Sequence, residues 1–205
     1  MKWISRIAAV LFFAEMVLIL VSWIVTAAKP EIGMRSLLSE EGVRWLFGHF
    51  TSNLLTPLLG WLLFGAMTYG AVRCSGIVAP LRNLRSAYRS SYRSSYRQRF
   101  ALQVVAVEVI VAVIIILLLT LVPHAPLLSV TGSLFPSSFS HSIVPLLCFC
   151  TTLFALTYGA FSGSFTSLTD MFRALYAGIA SAAPLFVVYV FAAELYFSLL
   201  FVFGL

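Results

Sequence analysis

Five apolar runs, each long enough to cross a bilayer, constrain this chain more than any other feature. A membrane-spanning helix needs about 20 predominantly apolar residues. The runs lie at Ile7–Ala28, Leu54–Val72, Phe100–Val122, Ser142–Ala160 and Ala177–Phe203. Only 10% of the residues are charged, against about 25% in a soluble domain. We therefore predict an all-α, polytopic membrane protein whose five transmembrane spans form a single membrane domain over residues 1–205.

The first run follows Lys2 and Arg6, as the core of a secretory signal peptide would. Its apolar stretch is longer than the 7–15 residues typical of such a core. We expect the first run to be a retained span.

The distribution of basic residues predicts the orientation. The segment 73–99 carries seven arginines and no acidic residue, and cytoplasmic loops are enriched in basic residues. If this segment is cytoplasmic, counting the spans places Lys2, Arg6 and Arg173 on the cytoplasmic side as well. That side then carries ten of the 13 basic residues. We therefore expect a cytoplasmic N-terminus and a multi-pass protein of the bacterial cytoplasmic (inner) membrane.

A near-repeat links the second and fourth runs. In each, Pro-Leu-Leu leads through Leu-Phe to Thr-Tyr-Gly-Ala, at 57–71 and at 145–160. Internal repeats within membrane spans are typical of secondary transporters. The predicted topology gives both copies the same direction, so a tandem duplication fits better than an inverted one. Small residues let helices approach closely, so we expect packing contacts at the glycines of the second span: Gly60, Gly65 and Gly70.

Three carboxylates lie well inside apolar runs: Glu15, Glu108 and Glu194. An ionised carboxylate in lipid costs several kcal/mol or more unless it is paired, hydrated or protonated. No Lys or Arg within the runs could pair with them, so we expect these side chains to be protonated or hydrogen-bonded to hydroxyls on neighbouring helices. Proton or sodium coupling is one interpretation. Hydrogen bonding across a helix or subunit interface is the other.

Two further segments carry helix-start signals. Ser39, followed by Glu40 and Glu41, predicts a short helix after the first span, and we expect this helix to lie flat on the outer surface. Ser167 or Asp170 is placed to cap the helix of the last span.

The cytoplasmic segment 73–99 contains a four-residue repeat of Tyr and Arg. In a helix this period places the tyrosines in one stripe and the arginines in the next. We expect contact with anionic lipid headgroups or with a cytoplasmic partner, and no nucleic-acid binding. The residues concerned are Arg85, Tyr88, Arg89, Tyr92, Arg93, Tyr96 and Arg97.

The remaining residue types do not suggest catalysis. The sequence has no Ser-His-Asp set, no phosphate-binding loop and no metal-ligand spacing, and its three cysteines lack the pattern of a disulfide framework. We expect a protein without enzymatic activity, bound metal or cofactor.

Several stretches resemble the p-aminobenzoyl-glutamate (AbgT-type) transporter family. Residues 36–44, SLLSEEGVR, are similar to a family stretch after the first span. Residues 99–134 and 142–170 resemble two later units with their loops, and Ala192-Ala193-Glu194 is similar to a family Ala-Ala-Gln. The resemblance implies a transporter fold, and Asp170 is the site residue that it matches.

The same resemblance implies a shortened member. The re-entrant hairpin signatures that build the family's substrate site have no counterpart in this sequence, so family substrate residues cannot be carried over. Three hypotheses follow. The chain is a reduced scaffold or subunit that acts with copies of itself or a membrane partner, a small ion- or proton-coupled carrier that works as an oligomer, or an anchor that recruits a cytoplasmic protein through the Arg/Tyr segment.

Overall fold

A computed structural model of the protein describes residues 2–84, 96–121 and 138–204. Its elements are helical throughout these residues, with no strand among them. Seven α-helices follow one another: α1 Lys2–Ala28, α2 Glu40–Leu54, α3 Pro57–Ser75, α4 Val78–Leu84, α5 Tyr96–Leu121, α6 Ser138–Ser162 and α7 Leu168–Phe203. A short 3-10 turn, Pro30–Ile32, lies between α1 and α2.

Five stretches of the described residues are long and apolar enough to cross a membrane: Lys2–Ala28, Glu40–Ser75, Tyr96–Thr120, Ser142–Ser162 and Leu168–Phe203. They confirm the predicted all-α membrane bundle with five spans. The second stretch contains two helices, because the helical conformation is interrupted at Leu55 and Thr56, just before Pro57. The side of the membrane on which the N-terminus lies stays a prediction.

The last helix is longer than expected. It begins at Leu168, directly after the predicted capping residue Ser167 and nine residues before the predicted span at Ala177, and has 36 residues, or about 54 Å at 1.5 Å per residue. Its start is held by reciprocal hydrogen bonds. The Asp170 carboxylate accepts from the backbone N–H of Ser167 at 3.2 Å, and the Ser167 hydroxyl accepts from the N–H of Asp170 at 3.2 Å. In this capping box Ser167, one of the two predicted alternatives, is the cap, and Asp170 lies in the first turn of the helix.

The start of α2 is also confirmed. Ser39 is its N-cap, and the Ser39 hydroxyl accepts from the backbone N–H of Gly42 at 3.0 Å. A Cβ atom on Gly42 would overlap the carbonyl oxygen of Ser36, so the preceding loop can fold against α2 because this position is glycine. Whether α2 lies flat on the membrane stays a prediction.

Contacts divide the chain into two compact units, Met1–Gly60 with Ala182–Leu205 and Trp61–Ser181. We call them the first and second units. In the first unit, the ring centroids of Phe12 and Phe191 are 5.7 Å apart, and Glu15 contacts Ser198. From the first contact to the second, the residue number increases along both helices. Therefore α1 and the second half of α7 run parallel.

The first unit has its apolar core near the end of α7. Leu37, Phe201 and Val202 are buried together there, and Trp45 stacks on Phe201 with ring centroids 4.5 Å apart. The loop before α2 is tied to this core because the backbone N–H of Arg35 donates to the Val202 carbonyl at 3.0 Å. This packing places α2 beside α1 and α7.

The second unit contains most of both copies of the near-repeat. The hydroxyls of Thr68 on α3 and Thr152 on α6 form a hydrogen bond at 2.9 Å. Gly70 on α3 meets Gly178 on α7 so closely that a Cβ atom on either would overlap the other helix's backbone. The repeated Thr-Tyr-Gly-Ala motif therefore lies at helix-packing surfaces.

Candidate functional site

A cavity in the first unit contains two of the three predicted carboxylates. It has a volume of about 490 Å³ and lies among α1, α2 and the second half of α7. Glu15 lines it from α1 and Glu194 from α7. The other lining residues are mostly apolar: Phe12, Ile19, Leu46, Phe47, Phe50, Thr51, Val190 and Phe191.

Glu194 is held by α2. Its side chain is 7% exposed, and its Oε2 accepts from the buried Asn53 amide at 3.4 Å. The end of α2 is fixed beside it, because the Tyr189 hydroxyl donates to the Leu54 carbonyl at 2.6 Å and lies 2.7 Å from the Thr56 hydroxyl. The break between α2 and α3 thus brings an amide donor to a carboxyl on α7.

Glu15 is held by a hydroxyl on α7. Its Oε1 accepts from the Ser198 hydroxyl at 2.7 Å, and Ser198 is fully buried. Ser198 follows Glu194 by four residues, so both side chains lie on one face of α7. That face points towards α1.

Each carboxyl of the pair has one oxygen without a protein partner. Within the described part of the chain, Glu15 Oε2 and Glu194 Oε1 are buried and make no hydrogen bond. A buried polar atom without a partner costs about 1–3 kcal/mol, and more if it is charged. Such a pair can hold protons, or it can neutralise a cation that enters between its members.

The third predicted carboxylate, Glu108, lies in the second unit and is not among the residues lining this cavity. The Thr157 hydroxyl, which belongs to the second copy of the repeat, donates to Glu108 Oε1 at 3.3 Å. Its Oε2 is buried and unpartnered among the described residues. The structure therefore brings two of the predicted carboxylates together and holds the third against the repeat.

Asp170, the position matched by the family resemblance, lies at the start of α7. In addition to its bond with Ser167, its Oδ2 accepts from the Thr166 hydroxyl at 2.8 Å. These contacts bind the loop before α7 to its first turn. The observed role of Asp170 is to hold the helix start.

The predicted lipid- or partner-contacting residues fall largely outside the described part of the chain: Arg85, Tyr88, Arg89, Tyr92 and Arg93. Tyr96 and Arg97 lie in the first turn of α5, and both are exposed. Their exposure leaves both side chains free to contact headgroups or a partner. In the residues covered by the structure, no group of three or more His, Cys, Asp or Glu side chains could hold a metal ion.

Sequence reasoning missed most contributors to the site, among them Asn53, Ser198 and Phe47. The spacing of Glu194 and Ser198 was a usable signal, since four residues place both on one face of a helix. Asn53 and Phe47 gave no comparable signal. Both lie on α2, whose position beside the site depends on the interruption of the helix just before Pro57.

Comparison with known proteins gives a family and a fold. Residues 83–201 match the model of the AbgT putative transporter family. The fold is similar to that in the crystal structure of the YdaH transporter of Alcanivorax borkumensis, with a TM-score of 0.71 and 14% sequence identity. That alignment covers 92% of this chain and 69% of the other chain, so part of the solved transporter has no counterpart here. No curated protein matches significantly.

Proposed function

Because the chain belongs to the AbgT putative transporter family, we propose that it is a small proton-coupled carrier whose proton-binding element is the Glu15–Glu194 pair. It is a transporter-like, multi-pass membrane protein. The observation that carries the proposal is the shared cavity, which both glutamates line, each with one buried carboxyl oxygen that has no hydrogen-bond partner among the described residues.

The coupling follows from the chemistry of the pair. Two ionised carboxylates in an apolar cavity repel each other and lose hydration, so a proton or another cation must accompany them. Protonation makes the pair neutral, and release of the protons creates negative charge in the cavity. A carrier that alternates between these two states links proton binding to the binding of its solute.

We further propose that the working unit is an assembly in the bacterial cytoplasmic membrane. The hypothesis of a chain completed by further copies or by a membrane partner fits the large apolar surface of the spans. Trp3, Phe13 and Val10 on α1 and Leu58 on α3 are more than half exposed. Such surfaces face lipid or a second protein. The two compact units would then act as one membrane domain of that assembly.

Proton binding can be measured on the full chain reconstituted in liposomes. We expect infrared difference spectra between acid and alkaline pH to contain a protonated-carboxyl band that Glu15→Gln and Glu194→Gln each reduce. Glu41→Gln, which alters an exposed glutamate of α2, is the matched control and should leave the band unchanged. A band that is identical in all variants would contradict the assignment of the proton-binding pair.

Solute transport is tested by a second measurement. We expect at least one solute from a panel of organic cations and anions to accelerate the decay of a pH gradient across these liposomes, with the effect lost in Glu194→Gln and kept in Glu41→Gln. If no solute changes the decay and a second membrane protein co-purifies with the chain, the scaffold hypothesis replaces the carrier hypothesis.

A further inference from the structure

The walls of the Glu15–Glu194 cavity show what kind of solute it can hold. Phenylalanine rings from all three helices surround the two carboxyls: Phe12, Phe47, Phe50 and Phe191. No lysine, arginine or histidine is present among the lining residues that the structure describes. The cavity therefore combines negative charge with aromatic and aliphatic surface.

We propose that this cavity binds a hydrophobic organic cation, an ammonium or phosphonium carrying aromatic or alkyl groups, with its charge between Glu15 and Glu194. The inference rests on the proposed carrier function and names its solute class. Glu194 is only 7% exposed, and its Oε1 has no hydrogen-bond partner among the described residues. A cation would supply the counter-charge that this side chain lacks.

Charge excludes the opposite class of ligand. An anion entering the cavity would meet one or two carboxylates without a compensating cation from the lining residues, at a high electrostatic cost in an apolar environment. A cation replaces the missing counter-charge. Its apolar substituents gain contact with the phenylalanine rings, whose faces also attract positive charge.

The number of oxygen atoms separates an organic cation from a metal ion. Calcium takes six to eight oxygen ligands, and magnesium demands an octahedral set. The polar side chains that line the cavity are Glu15, Glu194 and Thr51, and its remaining lining side chains are apolar. A weakly hydrated organic cation needs few oxygen ligands and uses the apolar wall.

The edge of the cavity fits an apolar ligand. Phe47 lines the cavity and is 81% exposed, and Phe12 and Phe50 are also exposed. A hydrophobic cation can pass such an edge without meeting a polar barrier.

Protons and the organic cation compete in this arrangement. Glu15 from α1 and Glu194 from α7 are the titratable groups among the described lining residues, and α2 contributes Leu46, Phe47, Phe50 and Thr51, none of which titrates. Protonation removes the negative charge that holds the cation. Binding of the cation should therefore weaken as the pH falls and should release protons at intermediate pH.

Tetraphenylphosphonium and tetraphenylborate test the inference, because they share one shape and carry opposite charges. Binding to the purified full chain is measured by equilibrium dialysis at several pH values. We expect the phosphonium to bind to the wild-type protein and to Glu41→Gln, with an affinity at least tenfold lower at acid pH. Glu194→Gln and Glu15→Gln should each lower the affinity at least tenfold, and the borate should not bind.

The outcomes separate this inference from the proposed function. Equal binding of both ions, or phosphonium binding that survives in both glutamine variants, would overturn the cation site. A protonated-carboxyl band that depends on Glu15 and Glu194, without phosphonium binding, would keep the proton-binding pair and reject the solute class. Phosphonium binding that depends on both glutamates but not on pH would support the cation site and reject proton coupling.

Gel filtration guards against loss of folding. Glutamine keeps the volume of glutamate and can still accept from Ser198 or Asn53, so both variants should elute as the wild-type protein does. Phe191→Leu gives a second line of test that leaves the charges in place. We expect it to weaken phosphonium binding severalfold through lost ring contact, and unchanged binding would contradict the aromatic contribution.

Discussion

The two units contain the same small arrangement, a hydroxyl that donates to a carboxyl within the membrane spans, in different surroundings. In the first unit Ser198 donates to Glu15 at 2.7 Å beside a second carboxyl and a cavity. In the second unit Thr157 on α6 donates to Glu108 on α5 at 3.3 Å. Among the described residues, a second unpartnered carboxyl on a neighbouring helix distinguishes the first unit.

Among substitutions that test this comparison of the two units, we expect the largest loss of stability at Gly178. A Cβ atom there would overlap the backbone of Ala66 and Gly70, and backbone atoms cannot move aside as a flexible side chain can. We expect Gly178→Ala to destabilise the protein by about 3 kcal/mol, the upper part of the usual range for overpacking, as measured by thermal unfolding in detergent.

Gly65→Ala is the matched control in the same unit, because a Cβ atom on Gly65 meets nothing within 4 Å. Alanine favours a helix over glycine by about 0.5–1 kcal/mol, so this variant should unfold at the wild-type temperature or slightly above it. Equal destabilisation by both substitutions would show that the Gly70–Gly178 contact is not what holds the second unit together.

A smaller effect is expected between the two repeat-bearing helices. Removing the hydrogen bond between Thr68 and Thr152 by substituting valine should cost about 1 kcal/mol, within the range for polar contacts between membrane helices. A double-mutant cycle of Thr68→Val and Thr152→Val isolates the coupling. A coupling energy near zero would mean that the hydroxyls find other partners once separated.

Local signals in the sequence predicted the elements well. Apolar length gave the five spans, and Ser39, Ser167 and Asp170 marked two helix starts, because capping depends on residues three apart in the chain. The three carboxylates were also identified in advance, since a charged residue inside an apolar run needs a partner wherever the run lies.

The pairing of Glu15 with Glu194 could not be predicted in the same way. The lipid-facing sides of membrane helices are as apolar as their packed sides, so the hydrophobic pattern of α1 or α7 does not show which face meets a neighbour. The glycines of α3 illustrate this limit. The sequence predicts packing contacts equally for Gly60, Gly65 and Gly70. In the structure Gly70 makes the close contact, whereas a Cβ atom on Gly60 or Gly65 would meet nothing within 4 Å.

The smallest expected effect compares the two hydroxyl donors directly. Ser198→Ala and Thr157→Val should each lower stability by about 0.6 kcal/mol, the average for such bonds in membrane proteins. Their effects on phosphonium binding should differ. Ser198→Ala frees the Glu15 carboxyl to rotate and should weaken binding severalfold, whereas Thr157→Val should leave binding unchanged because Glu108 is not a lining residue of the cavity. Equal losses of binding would show that Glu108 also belongs to the binding machinery. No loss in either variant would show that Glu15 needs no orientation by Ser198, so that the negative charge of the pair is sufficient to hold the cation.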